Sequence, residues 1–358
     1  MKILILGVNG FIGNALVRRI MDTTDWTVYG MDLAGNKLAH SLDKPRFRFV
    51  EGDIAINKEW IEYHIKGADV VLPLVAIATP MAYVKDPLGV FTLDFEENLA
   101  VIRLCVKHRT RVIFPSTSEV YGMCADGEFL EDESNYVLGP IHKQRWIYSC
   151  SKQLLDRVIW AYGRQGDLRF TLIRPFNWIG PRLDDLDAAK EGSSRVVTQF
   201  IHHLYRREPI RLVDGGGQTR CFTWVEDGID CLMKIIENEK GRADGQIFNI
   251  GAPENECSIR DLALRLRNLF MKHPDHVGDG EYSRIVEVKA EDYYGPGYQD
   301  ISTRKPSIEK ARRLLNWEPR TGLDQALSDT LDFFLEEIKN NHQGLDPVLG
   351  EGPPSSCP

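Results

Sequence analysis

The chain has 358 residues, 43% of them hydrophobic and 27% charged, and a formal net charge of −8. That length and apolar content are enough to bury a sizeable core, divided between two closely joined lobes. The negative balance argues against a general nucleic-acid or anionic-membrane surface, so an anionic ligand has to be met by a local cluster of Arg and backbone N–H groups.

The start, Lys2 to Leu6, is a short continuous apolar run. It could imitate a secretory leader, but Asn9-Gly10 interrupts it too early, and it reads as a first strand. No later run is long enough or free enough of charge to span a bilayer. The cysteines number seven and form no Cys-x-x-Cys pair, which fits reduced thiols in a cytoplasmic protein and suggests no metal.

After the first strand comes Gly7-Val8-Asn9-Gly10-Phe11-Ile12-Gly13, then the apolar-periodic Ala15 to Ile20. Strand, glycine loop and helix in that order are the context of a dinucleotide fingerprint. Gly7 would permit the tight turn, Gly10 a close approach of backbone to pyrophosphate, and Gly13 packing of helix on strand. The helix start at Phe11 and Ile12 would face the phosphates. A second strand, Trp26 to Met31, ends in Asp32, placed to hold a ribose hydroxyl pair. A carboxylate there repels a 2′-phosphate and favours NAD over NADP, although a helix N-cap is compatible with the same placement.

Phe47 to Glu51 gives a third strand, followed by Gly52-Asp53-Ile54. Val70 to Val75 gives a fourth, leading into Ala76-Ile77-Ala78-Thr79-Pro80, whose small residues let a cofactor lie against the backbone. Asp94 to His108 reads as a helix. Arg111 to Pro115 is a fifth strand, which delivers Ser116-Thr117-Ser118-Glu119 to the carboxyl edge of the sheet, where open parallel sheets bind ligands. Trp146 to Tyr162 reads as a long helix and Phe170 to Arg174 as a sixth strand. This alternation implies an α/β fold with a doubly wound parallel sheet.

Beyond Gly180 the pattern loosens. Gly192-Ser193-Ser194-Arg195, a helix to Arg206, Ile210 to Val213 and a helix from Ser258 to Phe270 read as a smaller lobe. Phe222 to Asn238 and Gln246 to Gly251 read as a return to the main sheet. Pro306 to Pro319 holds a capped helix and Gly322 to Lys339 a terminal one. The tail after Asn341, rich in Gly, Pro and Ser, reads as disordered.

Tyr148 and Lys152 are four apart on the long helix, hence on one face, where the ammonium favours phenolate and makes Tyr148 a candidate general base. Alone, the pair is equally compatible with a half-buried Tyr and a solvated Lys. With the glycine loop and Ser116-Thr117-Ser118 in the same order, nearly the whole chain resembles the extended short-chain dehydrogenase/reductase superfamily. Glu119 is the more specific signal. Together with Ala78-Thr79-Pro80, the run Lys143 to Tyr148, Arg174-Pro175-Phe176-Asn177-Trp178-Ile179-Gly180-Pro181-Arg182 and the run Tyr293 to Asp300, it is similar to the UDP-glucuronate decarboxylases, including the decarboxylase half of bifunctional polymyxin-resistance enzymes.

The resemblance implies a Rossmann sheet binding NAD, formed by 1–178 plus about 219–252, a smaller UDP-sugar lobe formed by about 179–218 plus 253–340, and a tail at 342–358. It implies a homodimer paired through the helices starting near Asp94 and Trp146. Asp53 and Ile54 would contact the adenine, Ala76 would line the cofactor, and Asn98 would be structural. Thr117 or Ser118 would hydrogen-bond the substrate oxygen, Tyr148 would remove its proton, and Lys152 would hold the nicotinamide ribose and lower the Tyr pKa. Glu119 and Arg304 would handle the carboxylate and the returning proton, and Tyr83 would contact that carboxylate. Asn177, Arg195, Arg211 and Tyr298 would meet the UDP. Two neighbouring readings stay open: a nucleotide-sugar 4-epimerase, which gives Glu119 and Arg304 no evident task, and a UDP-apiose/UDP-xylose synthase, which carries Cys in place of Ser118. Release of NADH would give UDP-4-keto-pentose, and its reuse UDP-xylose.

Overall fold

The computed structural model describes residues 1–185, 194–274 and 284–342. Gly192, Ser193 and the tail after His342 lie outside the described residues. The main sheet begins with β1 (Lys2–Leu6), β2 (Thr27–Asp32), β3 (Phe47–Glu51), β4 (Val70–Pro73), β5 (Arg111–Pro115) and β6 (Phe170–Pro175). Short strands β7 (Trp178–Ile179), β8 (Ile210–Val213), β9 (Thr219–Cys221) and β10 (Thr223–Trp224) leave it, and β11 (Gln246–Ile250) returns to its edge. β12 (Glu256–Ser258), β13 (Ile285–Val288) and β14 (Thr303–Arg304) join small pairings with β9 and β8.

Every neighbouring pair in the main sheet is parallel, in the order β11-β6-β5-β4-β1-β2-β3. The order reverses between β1 and β4, so the loops after these two strands part at the carboxyl edge and leave a crevice. Helices α1 (Phe11–Thr23), α2 (Ala39–Leu42), α3 (Lys58–Gly67), α4 (Pro80–Lys85), α5 (Pro87–Phe91), α6 (Asn98–His108) and α7 (Trp146–Gln165) connect the strands of this half.

Both faces of the sheet are covered, which explains the continuous apolar strands. Ile3, Ile5, Leu72, Ile113, Ile173 and Phe248 pack on one side with Leu16 and Ile20 of α1 and with Ile229 and Leu232 of the helix Val225–Glu237. Leu4, Leu6, Val71, Val112, Phe114 and Leu172 pack on the other with Ile61 and Ile65 of α3, Val101 and Ile102 of α6, and Leu155 and Ile159 of α7. Each such side chain contributes about 1.5–3 kcal/mol when fully buried. A separate core gathers Phe200, Leu204, Ile210, Leu262, Leu266 and Phe334. No helix among the described residues is long and apolar enough to cross a membrane.

Several expected elements differ in detail. The fourth strand stops at Pro73, because the chain at Leu74 and Val75 turns in against the glycine loop: a Cβ on Gly7 would lie 2.9 Å from the Val75 amide nitrogen. The helix expected from Asp94 is longer and irregular, since a π-helical turn, Thr92–Glu97, joins α5 to α6. The helix within 306–319 spans only Glu309–Leu315, and its N-terminal flanking residue, Ile308, offers no capping side chain, so it is not capped at its start. Its end is set by Asn316 in the left-handed region, φ 48°.

Candidate active site

The glycine loop has the geometry its sequence implied. Gly7 has φ 85°, and a Cβ on Gly13 would come within 2.5 Å of the Gly7 carbonyl, so helix α1 can begin this close to β1 only with glycine at both places. The first amides of α1 have no intrahelical acceptors and open toward the crevice. Asp32 is not a helix cap. Its carboxylate accepts from the Asn9 amide of the loop, 2.8 Å, and from the Leu33 amide, 2.8 Å. The Asn9 side chain in turn accepts from the Lys37 amide at 2.9 Å, which fixes the loop to the chain beyond β2.

Apart from Asp32, Asp53 and Ile54, every cofactor, catalytic and sugar-nucleotide residue expected from the sequence lines one cleft of about 400 Å³. Asp53 instead accepts from the Ala55 amide at 2.8 Å, and Ile54 is buried in the core beside Met31. Those two are therefore not brought into the cleft.

Tyr148 and Lys152 project from the first two turns of α7, both buried. The Tyr148 phenol is within hydrogen-bonding reach of the Thr117 hydroxyl, and its ring stacks on Tyr83 with centroids 4.6 Å apart. Burial pushes this phenol far up, and the nearby Asp94 and Glu119 carboxylates add to that, against opposing pulls from Thr117 and Arg195. The expected lowering by Lys152 is not seen. The ammonium lies 5.9 Å from the centre of the Tyr148 ring and instead donates to the Pro115 carbonyl at 3.3 Å and pairs with Asp94 at 3.4 Å. A buried ammonium takes the partners that satisfy it, and here Asp94 is the charged one.

Across the cleft, Glu119 sits at the start of the short 3₁₀ turn Ser118–Tyr121, where the Thr117 hydroxyl accepts from its amide at 3.2 Å. Arg145 donates to one Glu119 oxygen at 2.9 Å and Arg304 to the other at 3.2 Å. Burial alone would raise Glu119, but Arg145, Arg304 and Arg220 outweigh it and hold the carboxyl below its ordinary range. Arg304 reaches this point because β14 pairs in parallel with β9, which sets Arg304 beside Arg220. Arg220 donates to Asp300 at 2.8 Å, and burial followed by Arg304 pulls it down to about 10. Three guanidiniums thus face two carboxylates. Nε and Nη1 of Arg145 and Nε of Arg304 are buried without a hydrogen-bond partner among the described residues. Buried donors of this kind invite an anion.

The remaining positions line the far side of the cleft. Arg195 is tied to Asp184 at 3.2 Å and to the Leu183 carbonyl at 2.6 Å, and lies over the Phe11 ring. Asn177, at φ 39°, has an unpartnered amide nitrogen, and Arg211 is exposed on β8. Tyr298 lies on the Arg145 side instead: it stacks on Tyr294 at 4.1 Å and lies 5.5 Å from the Arg145 guanidinium. Tyr293 is the tyrosine that feels Arg211, and it donates to Gln199 at 2.6 Å. Asp94, Arg220 and Asp300 were not singled out from sequence. Asp300 closed a run already noted, but nothing near Arg220 or Asp94 in the chain marks either one.

A family model described as the NAD dependent epimerase/dehydratase family matches residues 3–251. The chain belongs to this family. Among solved structures, the PbgP3 protein from Burkholderia pseudomallei is 52% identical, with a TM-score of 0.86, covering 95% of this chain and 97% of that one. UDP-glucuronic acid 4-epimerase from Bacillus cereus, in complex with UDP-glucuronic acid and NAD, is 23% identical, with a TM-score of 0.79 over 94% of this chain and 100% of that one. dTDP-glucose 4,6-dehydratase from Bacillus anthracis, in complex with NAD, is 21% identical, with a TM-score of 0.75 over 95% of this chain and 98% of that one. These last two share the fold. As an epimerase/dehydratase, the protein is an NAD-dependent enzyme, and the side-chain-free cradle at Gly7 and Gly13, the open amides of α1 and the carboxylate of Asp32 fit that cofactor.

Proposed function

We propose that this epimerase/dehydratase acts on UDP-glucuronic acid, oxidising carbon 4 and releasing the carboxylate as carbon dioxide. The observation that carries the reading is Glu119 held between Arg145 and Arg304, with unpartnered guanidinium donors, in the same cleft as Tyr148 and Lys152. A site for an acidic group therefore lies beside a site for alcohol oxidation.

NAD, when bound, supplies the hydride acceptor. Tyr148, buried as a neutral phenol, has first to give up its own proton, which the positive charge of bound NAD would favour; the phenolate then takes the proton of the carbon-4 hydroxyl, while Thr117 and Ser118 hold that oxygen in place. The ketone so formed is beta to the carboxylate. The bond from carbon 5 to the carboxylate then breaks, carbon dioxide leaves, and the electron pair becomes an enolate whose oxygen faces the same hydroxyls. Arg145 and Arg304 orient the carboxylate before it leaves. A substrate carboxylate beside Glu119 competes for their guanidiniums and raises the Glu119 pKa, so that Glu119 can gain a proton and relay it, through water, to carbon 5. Arg304 positions rather than donates, because a guanidinium does not release its proton. Asn177, Arg195 and Arg211 receive the diphosphate and Tyr293 borders the same end. The product is UDP-4-keto-pentose, or UDP-xylose where the ketone is reduced before release.

A second reading, epimerisation at carbon 4 of the same acidic sugar nucleotide, is favoured by the fold shared with the UDP-glucuronic acid 4-epimerase. The two are separated by identifying the sugar nucleotide by NMR after incubation with UDP-glucuronic acid and NAD. A pentose product supports decarboxylation, and UDP-galacturonic acid with all carbons retained replaces it with epimerisation.

A further inference from the structure

Lys152 has a partner for which the redox reading gives no task. Asp94 is 0% exposed and Lys152 1% exposed, and their charged ends lie 3.4 Å apart. The second oxygen of Asp94 accepts from the Ile77 amide at 2.9 Å. One turn later, Asn98 donates to the Val75 carbonyl at 3.2 Å and to the Leu93 carbonyl at 2.8 Å. Two side chains of one helical stretch thus hold the segment after β4, whose Ala76 lines the cleft, and one of them also holds the ammonium. Asp94 is aimed there by the π-helical turn Thr92–Glu97. Such turns are rare and recur at functional sites, because the extra residue re-aims the side chains around it.

The other ionisable groups beside this ammonium or in the same cleft are engaged elsewhere. On α7 itself, Asp156 accepts from Ser116 at 2.7 Å and pairs with Arg174 at 3.3 Å. Glu119, following β5, is held by Arg145 and Arg304. The phenols of Tyr148 on α7 and Tyr83 on α4 are both driven toward the neutral form by burial. Asp94 is left as the counter-ion, and a buried ammonium without one gives up its proton.

We propose that Asp94 is a positioning residue for Lys152, whose carboxylate keeps the ammonium charged and ties it to the cofactor-facing segment 75–77, so that the Tyr148–Lys152 pair and that wall of the cleft are set as one unit. The inference rests on Tyr148 and Lys152 carrying the redox step. Asp94→Asn keeps an oxygen for the Ile77 amide but removes the charge.

The test labels lysine Cε with 13C and follows Lys152 by NMR, its signal identified by its loss in Lys152→Met. In Asp94→Asn Lys152 titrates at least about three pH units lower than in the unsubstituted protein. NAD affinity, read by tryptophan fluorescence, falls at least about fivefold at pH 8 and recovers toward pH 6, where the lysine regains its proton. A purely structural role predicts an unchanged Lys152 titration with a pH-independent loss of affinity, and that result overturns the proposal. Lys152 losing its proton below about pH 9 in the unsubstituted protein overturns it without any Asp94 variant. Neither readout involves a sugar nucleotide, so failure of the decarboxylase reading leaves this outcome unchanged.

Discussion

Glu119 is an ionised carboxylate enclosed by protein and three guanidiniums, and its depressed pKa makes it a contributor to stability as well as a site residue. A carboxyl whose folded pKa lies below its unfolded value adds stability that is complete above the unfolded value and is lost as pH falls through the folded one. Glu119→Gln removes that term and leaves two buried Arg residues without it, a loss of roughly 3–5 kcal/mol for breaking a buried pair. Thermal unfolding is expected to show the deficit fully at pH 7 and to show it shrinking below about pH 4. Equal melting temperatures at pH 7 would mean that the cluster contributes nothing to the fold. In turnover the same variant is expected to keep sugar-nucleotide binding and lose carbon dioxide release. Tyr148→Phe is expected to lower NADH formation by about 10³-fold or more, measured by absorbance. Normal turnover by either variant removes that residue from the mechanism.

The elements differ in how far their sequence revealed them. The central strands β1 and β4 are nearly continuous apolar runs bounded by turn residues, because burial on both faces leaves little room for polar side chains, and that pattern was readable; β3 at the edge keeps Arg48 and Glu51 exposed. The glycine loop was readable because sterics forbid any other residue at Gly7 and Gly13. Gly13→Ala puts a methyl 2.5 Å from a backbone oxygen, and NAD is then expected to give no rise in melting temperature, whereas it stabilises the unsubstituted protein. A normal NAD-dependent rise in Gly13→Ala would contradict the placement of the cofactor on this loop. The π-helical turn was not readable, since Thr92 to Glu97 follows the helical pattern on either side and no residue type marks the extra one. The Arg220–Arg304 pairing was hidden for a different reason: it arises from a strand contact between segments far apart in the chain. The link from Asp94 to Lys152 is hidden in the same way, and it is what turned the expected lysine–phenol contact into an ion pair.

At the scale of the molecule, the cleft is lined by residues from segments on both sides of it. Tyr148, Lys152, Glu119 and the glycine loop belong to the half built on the parallel sheet, while Arg211 on β8 and the tyrosines at 293, 294 and 298 come from segments beyond it. Lys143 donates to the Pro296 carbonyl at 2.9 Å and Trp146 to Gln299 at 2.9 Å, which fastens those segments to the start of α7. A dimer paired through α6 and α7 would cover Leu154 and Trp160, both exposed on α7. Light scattering is expected to give twice the chain mass, and Leu154→Asp to give a monomer. A monomeric unsubstituted protein would contradict that pairing.

On the proposed chemistry, an acidic group bound by Arg145 and Arg304 is lost as carbon dioxide after oxidation next to it. UDP-glucuronic acid labelled with 13C at the carboxylate, incubated with the protein and NAD, tests this directly. Labelled carbon dioxide is expected in step with a pentose nucleotide, and neither with Tyr148→Phe. A sugar nucleotide that retains the label, with carbon 4 inverted or unchanged, would contradict it.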